Sequence, residues 1–264
     1  MLEKKQEVYS PEISVLLSCY NAERYLNDAI ESILIQSFTD FEFIIVNDGS
    51  TDRTKSIIEN SQKKDNRINF IDKEKNTGLA DSLNVGLKHC NAKWVVRMDA
   101  DDISLPHRLE TQLNFVQNNE VTICGGGANM IDDSGNKLET IVPSRIFGNI
   151  EKSICGINPI MHPTVIMNKE EIITLGGYNK KFKYASQDYE LWVRAFFNGY
   201  KVINIDDILI NYRKDYRKKS FKRIFSKFFY KIFINKKYNF KFKYHLIALF
   251  ILINDIYIKI FQIK

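Results

Sequence analysis

Three times in the first hundred residues an apolar run ends in a polar cluster and gives way to a helical pattern, and no other feature restricts the fold of this chain so strongly. "ISVLLS" (Ile13 to Ser18) reads as a buried strand. "ERYLNDAIESILIQS" follows, with Tyr25, Leu26, Ala29, Ile30, Ile33 and Leu34 at helical spacing. "FEFIIVND" then leads to a helix "DRTKSIIENSQKK", with Ser50 or Thr51 placed to cap it. "INFID", "LADSLNVGLKHC" and "KWVVRMD" repeat the unit. This alternation predicts an α/β fold with a mainly parallel, doubly wound sheet. In such sheets ligands bind beyond the carboxyl ends of the strands, at a switch in strand order.

Three strand ends therefore matter: "SCYNAERY", "NDGSTD" and "MDADD". None carries a GxGxxG fingerprint or a P-loop, which argues against an NAD-type site. They offer carboxylates, amides, a hydroxyl and an aromatic ring, suited to a base, a ribose and a metal-bound diphosphate. Asp99, Asp101 and Asp102 crowd into four positions, where each raises its neighbours' pKa unless a cation or a set of donors compensates. Asp99 and Asp101, at alternate positions of a strand end, can direct oxygens into one crevice for Mg2+ or Mn2+. Asp102 is placed to cap a helix beginning near Leu105. Gly49 permits a sharp turn after the second strand.

At 264 residues and 44% hydrophobic content the chain can bury a sizeable core, which excludes a disordered or fibrous protein. The four cysteines form no CxxC pair, so neither a zinc cluster nor a disulfide framework is expected, and a reducing cytosol fits. "MLEKKQEVYS" lacks the apolar stretch of a secretory signal, so a body that stays inside the cell is expected.

The motifs "ISVLLSCYNAERYLNDAIESILIQSFTDFEFIIVNDGSTDRT", "NTGLADSLNVGL", "RMDADD", "HPTVIM" and "SQDYELWVR", in that order over roughly residues 11 to 213, resemble family 2 inverting glycosyltransferases of the GT-A fold. The resemblance implies a nucleotide-diphosphate sugar donor, usually a UDP-sugar, and a divalent metal. It makes Asp101 the main metal ligand and turns Asp99 toward the ribose or a metal-bound water. It has Asp48 accept from the uracil N3–H and Tyr20 stack or pack on the base. Ser18 and Asn21 join the donor site from the first loop; Asn76 and Gly78 join it ahead of the third helix. Glu23 also reads as a plain helix-start acid. Arg97, and less so Lys75, could neutralise phosphate.

On the acceptor side, Asp188 lies in the first turn of the helix "QDYELWVRAFF" and is expected to be the general base of a single inverting displacement. Where the family pattern has a Glu-Asp pair, this chain has Gln187 before Asp188, which puts the neighbour's part in acceptor binding in doubt. His162, Gln187 and Trp192 are further candidate contacts to diphosphate or acceptor. The wording of the motifs is most similar to bacterial enzymes of O-antigen, capsule or lipooligosaccharide synthesis. That implies transfer of a hexose, glucose or galactose, to a GlcNAc-type sugar on polyprenyl diphosphate, with a β-1,3 link.

Charge divides the chain. From Arg213 onward 15 bases face Asp215 and Asp255, a net +13, while residues 1–212 carry −7. A catalytic domain over 1–213 and a membrane-associating tail over 214–264 are expected. Bases interleaved with Phe, Tyr, Ile and Leu fit an amphipathic helix on an anionic membrane, and "LIALFILI" is too short to span one. The expected location is the cytoplasmic face of the inner membrane, with no nucleic acid as partner. Two other readings are a membrane- or nucleic-acid-binding module on an inactive body, and a helical cap whose basic face is merely solvated.

Overall fold

The computed structural model describes residues 10–182, 185–214 and 221–261. Its first half runs β1 (Ile13–Cys19), α1 (Leu26–Leu34), β2 (Phe41–Asn47), α2 (Thr54–Gln62), β3 (Ile68–Asp72), α3 (Leu79–His89), β4 (Trp94–Met98), β5 (Ile103–Ser104) and α4 (Arg108–Gln117). The second half runs β6 (Ile123–Ile131), β7 (Lys137–Ile141), α5 (Pro143–Phe147), α6 (Ile150–Ser153), β8 (Ile166–Asn168), α7 (Lys169–Thr174), α8 (Gln187–Phe197), β9 (Val202–Arg213), α9 (Phe221–Lys237) and α10 (Phe242–Phe261).

One sheet organises all of it, in the order β3-β2-β1-β4-β8-β6-β9-β5, with β7 paired to β6. β1 pairs in parallel with both β2 and β4, so Cys19 stands opposite Asn47 and Leu17 opposite Met98. This register sets the three polar strand ends side by side. Beyond β4 the sheet turns antiparallel through β8, and β5 pairs antiparallel with β9. Every residue of β1, β2 and β4 is buried, as strands covered on both faces require.

The helices cover the sheet with the faces their spacing supplies. α1 buries Leu26, Ala29, Ile30 and Ile33 on one face, each large side chain contributing about 1.5–3 kcal/mol. α3 approaches β1 so closely that a Cβ on Gly86 would lie 2.2 Å from Leu16 Cδ1. α9 joins the body's core: Ile234 is fully buried in the cluster that holds Trp192 and Tyr189.

Two capping expectations need correction. α4 starts at Arg108 with His107 before it, because Ser104 pairs with Ile210 of β9 and keeps the chain extended. Asp102 instead accepts from the Arg213 backbone N–H at 2.8 Å. At α2, Asp52 rather than Ser50 or Thr51 accepts from a helix-start amide, that of Thr54, at 3.0 Å. The Ser50 hydroxyl oxygen accepts from Asn21 N–H across the crevice, at 2.9 Å. Among the described residues no helix is long and apolar enough to cross a membrane.

Candidate active site

Two cavities open along the carboxyl ends of the parallel strands, and both are bounded by Leu79 and Asp99. The first, about 750 Å3, is walled by Ser18, Tyr20, Asn21 and Asp101. The second, about 650 Å3, is walled by Arg97, His162, Gln187 and Asp188. Eight of the residues singled out in the sequence thus meet around the Asp99 carboxylate.

The loops after β1 and β2 are laced together to make the first cavity. Asn21, in a left-handed conformation with φ of 48°, accepts on its side-chain oxygen from Thr51 N–H at 2.9 Å. The Thr54 hydroxyl oxygen accepts from Ala22 N–H, and the Glu23 carboxylate from Arg53 N–H. Glu23 therefore serves the start of α2 rather than that of α1. Gly49 turns with φ of +68°, and a Cβ there would lie 2.6 Å from the carbonyl carbon of Lys75. Only glycine fits such an approach. Tyr20 is half exposed at the cavity rim, as a ring offered to a ligand must be.

Asp48 is buried beneath this crevice and held by donors of its own chain. It accepts from Lys73 Nζ at 2.7 Å, from Thr77 N–H at 2.9 Å and from Gly78 N–H at 2.8 Å. Burial pushes this carboxyl up, but those donors outweigh it and hold it below the usual range. Asp48 lines neither cavity; it fixes the Thr77–Gly78 turn that begins α3 beside Leu79. Asn76 and Lys75 are exposed on that turn. Lys73 escaped the sequence reading, although it directly follows the third apolar run and so met the same strand-end criterion.

The Asp99, Asp101 and Asp102 carboxylates lie within 4.8 Å of one another. Their repulsion is partly answered from below: Arg97, 1% exposed, donates to Asp99, and fully buried Arg108 adds a second positive charge near Asp102. Burial, then Asp99 and Asp101, still push the Asp102 carboxyl well up. Its Oδ2 is a buried acceptor with no donor. Three hard oxygen donors, one of them orphaned, fit a divalent cation of the Mg2+ or Mn2+ kind. Asp101 and Asp99 are the residues that would hold it, with the unpartnered Oδ2 of Asp102 beside them while its Oδ1 accepts from Arg213 N–H.

In the second cavity α8 begins with Ser186 in a left-handed conformation, φ 63°. The half-buried Asp188 follows in the first turn, and its Oδ2 accepts from Asn158 Nδ2 at 2.7 Å. Burial raises this carboxyl against the backbone donors of the helix start, Asn158 and Arg97, and the net shift is upward. A carboxylate shifted that way is better matched to accepting a proton near neutral pH. Asn158 was another omission, readable only as the first polar residue of "NPIMHP".

His162 is buried, with Nε2 2.9 Å from the Tyr178 hydroxyl and its ring edge-on to Trp192 at 5.7 Å. Burial and then Arg97 drive its pKa well down, so the imidazole stays neutral. Trp192 is fully buried and lines neither cavity; it supports His162 from behind. Gln187 reaches the cavity wall. Tyr178, which carried no sequence signal, pairs with His162 through its hydroxyl and feels the charges of Arg97, Asp188 and Asp99.

Residues 14–177 match the family model described as glycosyl transferase family 2. A curated relative, an uncharacterized glycosyltransferase of Methanocaldococcus jannaschii, is 36% identical over 211 residues, 78% of this chain and 72% of that protein. The Escherichia coli UDP-Gal:alpha-D-GlcNAc-diphosphoundecaprenol beta-1,3-galactosyltransferase is 34% identical over 210 residues, 77% of this chain and 74% of that protein. In fold, the chain is similar to the mannosyltransferase PcManGT of Pyrobaculum calidifontis, solved with GDP-Man and Mn2+. The TM-score is 0.68 at 18% identity, covering 93% of this chain and 70% of that one. An acidic trio and a helix-start carboxylate in two cavities that share Asp99, on a GT-A sheet, agree with the family match, and the chain belongs to glycosyl transferase family 2 as a glycosyltransferase.

Proposed function

We propose that this enzyme is an inverting hexosyltransferase of bacterial surface-polysaccharide synthesis. It takes a hexose, glucose or galactose, from a UDP-sugar and joins it, by a β-1,3 link, to a GlcNAc-type sugar on polyprenyl diphosphate. One observation carries the reading: the cavity of Asp101 and the cavity of Asp188 share the wall at Asp99. A donor held in the first presents its sugar to an acceptor held in the second. The activity for which the E. coli relative is named supports the choice of partners.

In this reading Ser18, Tyr20 and Asn21 bind the nucleoside while Asp48, through Thr77 and Gly78, shapes the floor. Asp188 accepts the proton of the acceptor hydroxyl as that oxygen attacks the anomeric carbon, and inversion follows from a single displacement. Asn158 aims the carboxylate, and neutral His162 and Arg97 line the acceptor side. A divalent cation at Asp101 and Asp99, Mn2+ or Mg2+, supplies charge that stabilises the departing nucleoside diphosphate when bound.

The tail helices support a place on the cytoplasmic membrane surface. Phe221, Phe225, Phe229 and Phe233, each four residues from the next on α9, are exposed, as are Leu246, Leu249, Phe250 and Ile253 on α10. Apolar faces beside a strongly basic composition fit an anionic leaflet, where each base near the surface adds about 1 kcal/mol.

A donor panel tests the reading. With Mn2+ and a synthetic GlcNAc-diphosphate-lipid, one UDP-hexose should be consumed, and Asp101→Ala should abolish turnover. Turnover of GDP-sugars alone, or undiminished activity in Asp101→Ala, would refute it.

A further inference from the structure

The cavity that holds Asp188 is completed by the tail. α9 contributes Lys227, Phe228 and Lys231 to its wall, and α10 contributes Ile251 and Leu252. Lys231 is only 7% exposed; it donates to the Gly156 carbonyl oxygen, and its ammonium lies 5.5 Å from the centroid of the Tyr189 ring. Burial, and then the charge of Lys227, bring its pKa down to about 8. The two ammonium groups lie in electrostatic reach of each other on the wall of one cavity, beside apolar side chains. They are also tied to the reaction centre. Gly156 lies two residues before Asn158, and Tyr189 directly follows Asp188.

Resting on the transfer reading above, we propose that Lys227 and Lys231 form the subsite for the diphosphate of a polyprenyl-diphosphate-linked acceptor. Ile251 and Leu252 receive the start of its lipid chain. One cavity joins the three chemistries such an acceptor requires: a carboxylate for the sugar hydroxyl, paired cations for the diphosphate and an apolar wall for the lipid. The exposed Leu249, Phe250 and Ile253 continue that apolar surface outward along α10. Bilayer headgroups would instead meet exposed bases such as Lys236 and Lys241, since Lys231 is enclosed. The donor's diphosphate belongs to the other cavity, where Asp101 lies and neither lysine reaches.

The test uses the full chain and farnesyl diphosphate, a soluble polyprenyl diphosphate without a sugar. Titrations are run in EDTA so that no divalent cation bridges the phosphates to the aspartates. The wild type should bind the probe, and UDP should not displace it. Lys227→Gln and Lys231→Gln should each weaken binding about tenfold or more, as loss of a charge-assisted contact does, and Lys231→Arg should restore it. Wild-type affinity in both glutamine variants, or displacement by UDP, would overturn the subsite. So would loss of binding to phosphatidylglycerol vesicles with farnesyl diphosphate affinity intact, which would assign the lysines to headgroups. If Lys231→Arg fails as Lys231→Gln does while Lys227→Gln binds normally, Lys231 only holds the Gly156 loop and the subsite is again refuted. Hydrolysis of a UDP-sugar by the wild type with Mn2+ and no acceptor checks the transfer reading separately. Hydrolysis without probe binding removes only the subsite, and probe binding without hydrolysis removes the transfer reading.

Discussion

Asn158 Nδ2 donates to Asp188 Oδ2 over 2.7 Å, bridging the loop after α6 to the first turn of α8. The bond favours the ionised carboxylate and fixes its direction. Replacing Asn158 with Ala should slow transfer about tenfold to a hundredfold, the loss expected for a hydrogen bond to a charged group. It should also move the acid limb of the kcat/KM profile to higher pH, because the ionised form loses a donor. An unchanged pH profile would detach Asn158 from the base.

Partial burial in the cavity holds the Asp188 carboxyl above the ordinary carboxylate value. Transfer should fall as pH drops through that raised value, since a protonated carboxyl accepts no proton. Asp188→Asn should bind UDP-sugar with near wild-type affinity while losing transfer and the acid limb together. Near wild-type transfer in this variant would assign the base elsewhere.

Asp102 is 1% exposed and accepts from Arg213 N–H. Asp102→Ala leaves that buried donor unmet and should cost about 1–3 kcal/mol in urea unfolding with EDTA present. Asp102→Asn keeps an acceptor. The carboxyl's folded pKa lies above its unfolded one, so its contribution to stability is present below the unfolded value and lost as pH rises through the folded value. Without metal, Asp102→Asn should therefore lose less stability than the wild type as pH rises from the ordinary carboxylate range toward neutrality.

Gly49→Ala strains a positive φ and drives a Cβ against Lys75 backbone. The turn that presents Asp48 to Thr77 and Gly78 should shift, raising the KM for UDP-sugar and costing about 1–3 kcal/mol. Wild-type donor affinity in a folded Gly49→Ala protein would show that the floor is dispensable.

The tail prediction is best made on side chains that face outward. Deleting 214–264 would strip Ile224 and Ile234 from the body's core, so loss of activity would be ambiguous. Phe229→Glu with Phe250→Glu touches two exposed positions and should leave thermal stability near wild type. The double variant should move from membrane pellets to the supernatant; pelleting like the wild type would remove this face as the contact.

The alternation through β4 was legible because periodicity is local: a run such as "ISVLL" declares its own burial, and the ends of such strands place Ser18 and Asp99 at the crevice. The acidic trio and Asp188 were legible for the same reason, as charges interrupting apolar patterns. The sequence alone thus determined the elements, their polar ends and the residue types available for chemistry. Only the tertiary structure decided which ends met. Asp48 faces Lys73 rather than open crevice, Asp102 holds Arg213 rather than a helix, and Asn158 reaches Asp188 across 30 positions. The tail's aromatic pattern showed that one helix face is apolar, but not that α9 would turn Ile234 to the core and leave Phe229 outside. Periodicity reports that a face must be covered; what covers it is set by long-range packing and hydrogen-bond satisfaction, which no local pattern encodes.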